Sequence, residues 1–181
     1  MFKPLAKYFL KQHLRNHPRK PSLVHGDLVD SMAIVGIFDQ DDKGFDIIQG
    51  YVKELRRRGI KTVDFYVGFK SKKLFKEYKG SLKDHPFHSS SFSWLGKIDS
   101  PELDSLETKT YDVLVDLSEG SMFEADVIVA KSKAKWKAGA KNNERAFLLD
   151  FMIDMKEDRD IRNLIHHLDK YLMNFNKMNA A

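Results

Sequence analysis

Asp39, Asp41 and Asp42 fall within four residues in F-D-Q-D-D-K-G, directly after an apolar run, and Asp46 lies just inside the helix expected next. Carboxylates crowded in this way repel one another. A hard cation that prefers oxygen ligands relieves the repulsion, which makes Asp39 and Asp41 a candidate Mg²⁺ site. The plainer reading is an acidic turn leading into a helix N-terminus, where Asp is favoured as a cap and by the dipole. An EF-hand loop is excluded, because Lys43 falls at its fifth position and Gly50 where its bidentate Glu belongs. The chain has no Cys, so thiolate nucleophiles and sulfur-ligated metals are excluded too. No G-x-S-x-G elbow, phosphate loop or dinucleotide fingerprint occurs. His13 and His17, one turn apart, read as solvated, and His85 and His88 in H-P-F-H lack a third ligand.

A second group, Asp116, Ser118 and Gly120, closes the strand-like run Y-D-V-L-V-D-L. Together with Asp39, Asp41, Asp42 and Asp46 these are the candidate ligand-binding residues, because ligands on parallel sheets bind beyond the C-terminal ends of the strands. The segments to inspect are 39–44, 68–72 and 116–121.

The elements that must position them follow from hydrophobic periodicity. Residues 31–38 and 61–69 are apolar and β-branched runs that predict strands, with a helix over 44–58 between them that closes at Gly59. A short helix is expected over 71–79, a Ser-rich loop over 85–93, a weaker strand over 92–98 and a short helix from Pro101. Strand 111–117, helix 122–131, a short strand at 136–140, an apolar run at 147–155 and a helix over 159–177 complete the pass. Alternating strands and helices predict an α/β, three-layer Rossmann-like domain with a mainly parallel sheet over 22–181. It is preceded by an amphipathic helix and linker, residues 1–21, broken by Pro18.

At 181 residues the chain suits one domain with an appendage, and its 42% hydrophobic and 31% charged residues exclude disordered, collagen-like and membrane-spanning classes. The net charge of +5 is unevenly placed. Residues 1–20 hold Lys3, Lys7, Lys11, Arg15, Arg19 and Lys20 and no acid, leaving 25 cations and 26 acids in the remainder. A near-neutral body argues against a specific nucleic-acid partner. Lys3, Lys7, Lys11 and Arg15 line one stripe of the first helix beside Phe2, Leu5, Phe9, Leu10 and Leu14. That stripe suits a membrane surface or a protein partner, and a helix docked on its own domain is the alternative. Arg56–Arg58 and the acid-free run Lys131, Lys133, Lys135, Lys137 and Lys141 read as solvated surface. The localisation expected is cytoplasmic, peripheral to the inner face of a membrane where the basic stripe is what attaches it.

An apolar strand ending in Asp-x-Asp resembles the haloacid-dehalogenase phosphatases, which implies Asp39 as nucleophile and Asp41 as general acid around Mg²⁺. The Thr or Val expected next is replaced by Asp42, Lys43 and Gly44, and the later acidic pair is matched only loosely by Asp150 and Asp154. The stretch 111–139 resembles the N-terminal, acceptor-side half of bacterial heptosyltransferases through Asp112, Asp116, Gly120 and Gly139. That family's catalytic base follows a Gly in the first loop, whereas here Gly44 is followed by Phe45 and Asp46, and its nucleotide-sugar domain is missing. Nearly the whole chain resembles a family of short, uncharacterised bacterial proteins with a basic N-terminal helix, a D-V-L-V-D-L-S-like strand and an F-M-I-D-M-K-like closing segment. The heptosyltransferase likeness implies a non-catalytic or accessory module without a cofactor, related to the acceptor half of a glycosyltransferase and attached to a membrane surface or partner through its N-terminal helix, while the full-length likeness implies no reaction or binding residues. A small Mg²⁺-dependent phosphate-handling enzyme is the alternative.

Overall fold

The computed structural model describes residues 3–24, 28–39, 44–155 and 160–174. Strand β1, Ser31–Phe38, forms where the sequence is apolar at successive rather than alternate positions, and residues 32–37 are all buried, as a strand covered on both faces requires. Helix α2, Gly44–Arg57, returns over it with Phe45, Ile48, Tyr51, Val52 and Leu55 on its buried stripe. Strand β2 (Thr62–Phe69), helix α3 (Lys72–Glu77) and strand β3 (Asp84–Phe87) then carry the sheet to one edge. The chain crosses back through strand β4 (Val113–Asp116), helix α4 (Phe123–Lys131), strand β5 (Trp136–Ala140), strand β6 (Phe151–Ile153) and helix α5 (Ile161–Asn174). The sheet has the order β3-β2-β1-β4-β5-β6, and every pairing is parallel. Strand order reverses between β1 and β4.

Alternation along the strands sorts the core into two halves. Ile34, Phe65, Val67, Val115 and Ala138 face α2 and α5, while Ala33, Val35 and Leu114 face α4. This is the three-layer Rossmann-like arrangement, with a fully parallel sheet where the sequence predicts a mainly parallel one.

Two stretches differ from the sequence reading. The third strand, Asp84–Phe87, overlaps the start of the stretch 85–93 read as loop, and the strand expected over 92–98 is a single antiparallel bridge between Phe92 and Ile98. Pro86 argues against a central strand, but an edge strand pairs on one side only and tolerates it. The run 147–155 yields only the three residues of β6, after a 3₁₀ turn at Asn143–Arg145.

The N-terminal helix α1, Lys3–Asn16, lies against α4 through Ala6, Leu10 and Leu14. Lys7 reaches Glu144 at 3.2 Å, and the Lys11 ammonium sits 5.0 Å from the centre of the Phe147 ring. Leu5, Tyr8 and Phe9 stay exposed, as do Trp94 and Leu95. No helix among the described residues is long and apolar enough to cross a membrane.

Candidate functional site

A cleft of about 450 Å³ opens at the strand-order reversal, beyond the C-terminal ends of β1 and β4. Ile37, Ile47, Ile48, Leu117 and Ile161 give it an apolar floor, and the N-terminal turns of α2 and α5 border it. Its cations are paired: Lys70 donates to Asp39 at 2.9 Å, and Arg162 lies 3.5 Å from Asp160. Ser118, Glu119 and Ser121 contribute from the turn after β4.

That turn is built from beneath. Asp116, 1% exposed, accepts the Ser118 backbone N–H and hydroxyl on Oδ1 and the Arg145 guanidinium on Oδ2 at 2.6 Å. Arg145, itself buried, also donates through Nε to Asp126 at 2.6 Å, and its Nη1 has no hydrogen-bond partner among the described residues. Burial lowers the affinity of the guanidinium for its proton, but Asp116 and Asp126 outweigh it and the net displacement is upward. Burial dominates at Asp126, whose carboxyl is displaced upward although Arg145 pulls it the other way. Above this pair, Ser121 N donates to Ser118 O at 3.0 Å across two residues of positive φ, Glu119 at 51° and Gly120 at 78°, which is a type I′ turn. A Cβ at Gly120 would lie 2.6 Å from Arg145 Cδ, so this glycine is required by conformation and by its neighbour alike.

The residues singled out from the sequence are thus only partly brought together. Ser118 and the 118–121 turn border the cleft and Asp39 is tied to it through Lys70, whereas Asp46 is exposed on the first turn of α2. Asp41 and Asp42 lie outside the described residues. Among the described residues no three His, Asp or Glu side chains converge as a metal-binding group. Asp116 holds the turn through Arg145 rather than facing solvent. Asp112 accepts the backbone N–H groups of Asp30 and Ser31 and pairs with Lys135 at 2.8 Å, fixing the start of β1. Gly139 lets β5 approach β4, since its Cβ would fall 2.8 Å from Asp116 O. Asp150 is held by Arg19 and Asp154 by Lys141. Of the basic stripe, Lys3 opens α1, Lys7 and Lys11 engage the domain, and Arg15 is exposed.

A family model described as a family of unknown function (DUF6913) matches residues 3–175. The chain belongs to that family. No curated protein and no solved structure matches it.

In this DUF6913 protein two buried polar groups escape sequence reasoning. Asp64 on β2 is 2% exposed and accepts Tyr111 Oη and Lys109 Nζ, each at 2.7 Å, and the Tyr111 and Tyr66 hydroxyls meet at 2.8 Å. Burial works against this carboxylate, but the His85 ring, the Lys109 ammonium and the Tyr111 hydroxyl more than offset it and hold Asp64 far below the usual carboxylate range. His85 Nε2 stands 3.6 Å away, beyond hydrogen-bond reach. Lys137, read as solvated, is instead 1% exposed on the α4 side of β5, donating to the carbonyls of Val129 and Ala130. The available signal is its position in W-K-A-G-A, between two residues of the opposite core face.

Proposed function

We propose that this chain is a binding module that holds a hydroxyl-rich small molecule, a sugar or sugar phosphate, in the cleft beyond β1 and β4 and performs no transfer chemistry of its own. The carrying observation is that both cations lining the cleft are paired, Lys70 with Asp39 and Arg162 with Asp160, beside the Glu119 carboxylate and above an apolar floor. Paired charges offer hydrogen-bond donors and acceptors with little net field, and an apolar floor suits the C–H face of a sugar ring. The likeness of residues 111–139 to the acceptor half of heptosyltransferases supports the same class. A base placed as in that family is absent from the sequence, because Phe45 stands directly after Gly44.

Thermal unfolding in the presence of monosaccharides, sugar phosphates, nucleotide sugars and Mg²⁺ tests this. A sugar or sugar phosphate should raise the melting temperature by mass action, and Ser121→Trp, which fills the cleft from an exposed position, should abolish the rise. Stabilisation by Mg²⁺ alone with turnover of a phosphate ester, or transfer from any nucleotide sugar, would overturn the reading in favour of an enzyme.

A further inference from the structure

Two stretches that carry several cations and no acid, residues 1–20 and 131–141, are far apart in the sequence. The fold brings them to one cavity of about 540 Å³ at the end of the sheet where the strands begin, opposite the cleft described above. His13 and His17 from α1, Arg19 from the linker, Lys131 and Lys133 from the end of α4 and Lys137 from β5 line it. Among the described lining residues Glu107 is the one acid, and it is paired with Lys131, while Arg19 is paired with Asp150, which leaves Lys133, Lys137 and the two imidazoles.

Basic residues gather at helix C-termini for a simpler reason, since they offset the negative end of the dipole. Here that need is already met. Lys137 Nζ donates to Val129 O and Ala130 O, Ser132 N donates to Ile128 O, and His17 N donates to His13 O. Lys133 is exposed and makes no ion pair among the described residues. The field left over is positive. It shows in the groups within it: burial, then Lys131 and His17, lower the His13 imidazole, and burial, then Arg19, bring Lys137 down to about 7 against the pull of Asp150.

We propose that this cavity is a binding site for the terminal phosphate group of an anionic ligand, held by His13, Lys131, Lys133 and Lys137. A bound anion cancels the repulsion among these groups, so binding takes up protons and each proton taken up strengthens binding. Because His13 sits below its ordinary value and Lys137 near neutrality, affinity should rise as the pH falls through about 7 and weaken above it. The terminal phosphate belongs either to a soluble metabolite or to a lipid headgroup, and the two sources separate experimentally.

Inorganic pyrophosphate is titrated into the full chain at about 150 mM NaCl, where distant surface charges are screened. The expected result is a saturable rise in melting temperature beyond that of added NaCl at equal ionic strength. Lys133→Glu should weaken binding about tenfold or more, since it replaces attraction by repulsion near the ligand. His13→Gln should flatten the pH dependence relative to the native chain, a comparison in which the titration of pyrophosphate itself cancels. NMR should show the His13 imidazole titrating at higher pH once the anion is bound. Lys133-dependent binding to phosphatidic acid vesicles but not to phosphatidylcholine vesicles, without a response to pyrophosphate, would assign the phosphate to a lipid. No response to either probe, or equal binding by Lys133→Glu, would overturn the site.

Discussion

Gly120 shows how much one position can be asked to do. Its backbone lies at φ 78°, and a Cβ there would press on Arg145, which is held in place by Asp116 and Asp126. Gly120→Ala should therefore cost about 2 kcal/mol, combining left-handed strain with displacement of a buried guanidinium, and denaturant unfolding will read it. A loss below about 0.5 kcal/mol would mean that the turn relaxes freely. Asp64 carries the clearest pH dependence. Its folded carboxyl titrates far below the unfolded one, so the stability it contributes is fully present above the ordinary carboxylate value of about 4 and is lost as pH falls below it. Asp64→Asn should leave the chain less stable near pH 7, and its deficit relative to the native chain should shrink on acidification below about pH 4. A deficit independent of pH would show that Asp64 acts through packing alone.

At the scale of elements, β5 and the end of α4 form one unit through Lys137. Burial and Arg19 depress this ammonium to about 7, so the unfolded chain holds the proton more tightly between there and the ordinary lysine value. Folding is disfavoured by the full amount below about pH 7 and recovers as pH rises towards about 10. Unfolding of the native chain and of Lys137→Met, compared from about pH 6 to about pH 9, should show the native chain gaining on the variant as pH rises. Parallel curves would mean that the folded chain keeps Lys137 as a charged ammonium throughout, with no depression of its proton affinity. The same residue marks the boundary of what a sequence discloses. Strands β1, β2 and β4 and helices α2 and α5 are legible because burial on both faces, or on one helical stripe, leaves a periodic trace. Strand β3 is not, because an edge strand of four residues with Pro86 at its centre has the composition of a loop. Of the candidate site, the cleft's position follows from strand order, but the roles of Asp112 and Asp116 do not. Their partners Lys135 and Arg145 lie 23 and 29 residues away, and pairing at such distances leaves no local pattern.

For the molecule as a whole, α1 decides whether the domain begins at the first residues or after Pro21. It carries half of a contact: Ala6 and Leu10 are buried against α4, and Leu14 packs on the same cluster, while Leu5, Tyr8 and Phe9 face outward. It also supplies the lining residues His13 and His17 of the basic cavity, and the linker supplies Arg19, whose guanidinium clamps Asp150 at the edge of β5. A chain lacking residues 1–21 would expose the outer apolar side of α4 and leave Asp150 without its cation. Truncating Leu10 alone to Ala should cost about 2 kcal/mol, the ordinary loss for a buried leucine, and lower the melting temperature by several degrees in a chain of this size. Phe9→Ala should cost much less, because a half-exposed ring surrenders little burial. Removal of residues 1–21 should lower the melting temperature by more than Leu10→Ala and raise binding of a hydrophobic dye. If the shortened chain melts with the native one while Leu10→Ala also has no effect, α1 is an appendage resting on α4 and the folded unit is the sheet with its four other helices. A fall in both variants, with Phe9→Ala unaffected, makes α1 part of the core and leaves Leu5, Tyr8 and Phe9 as the face it presents outward.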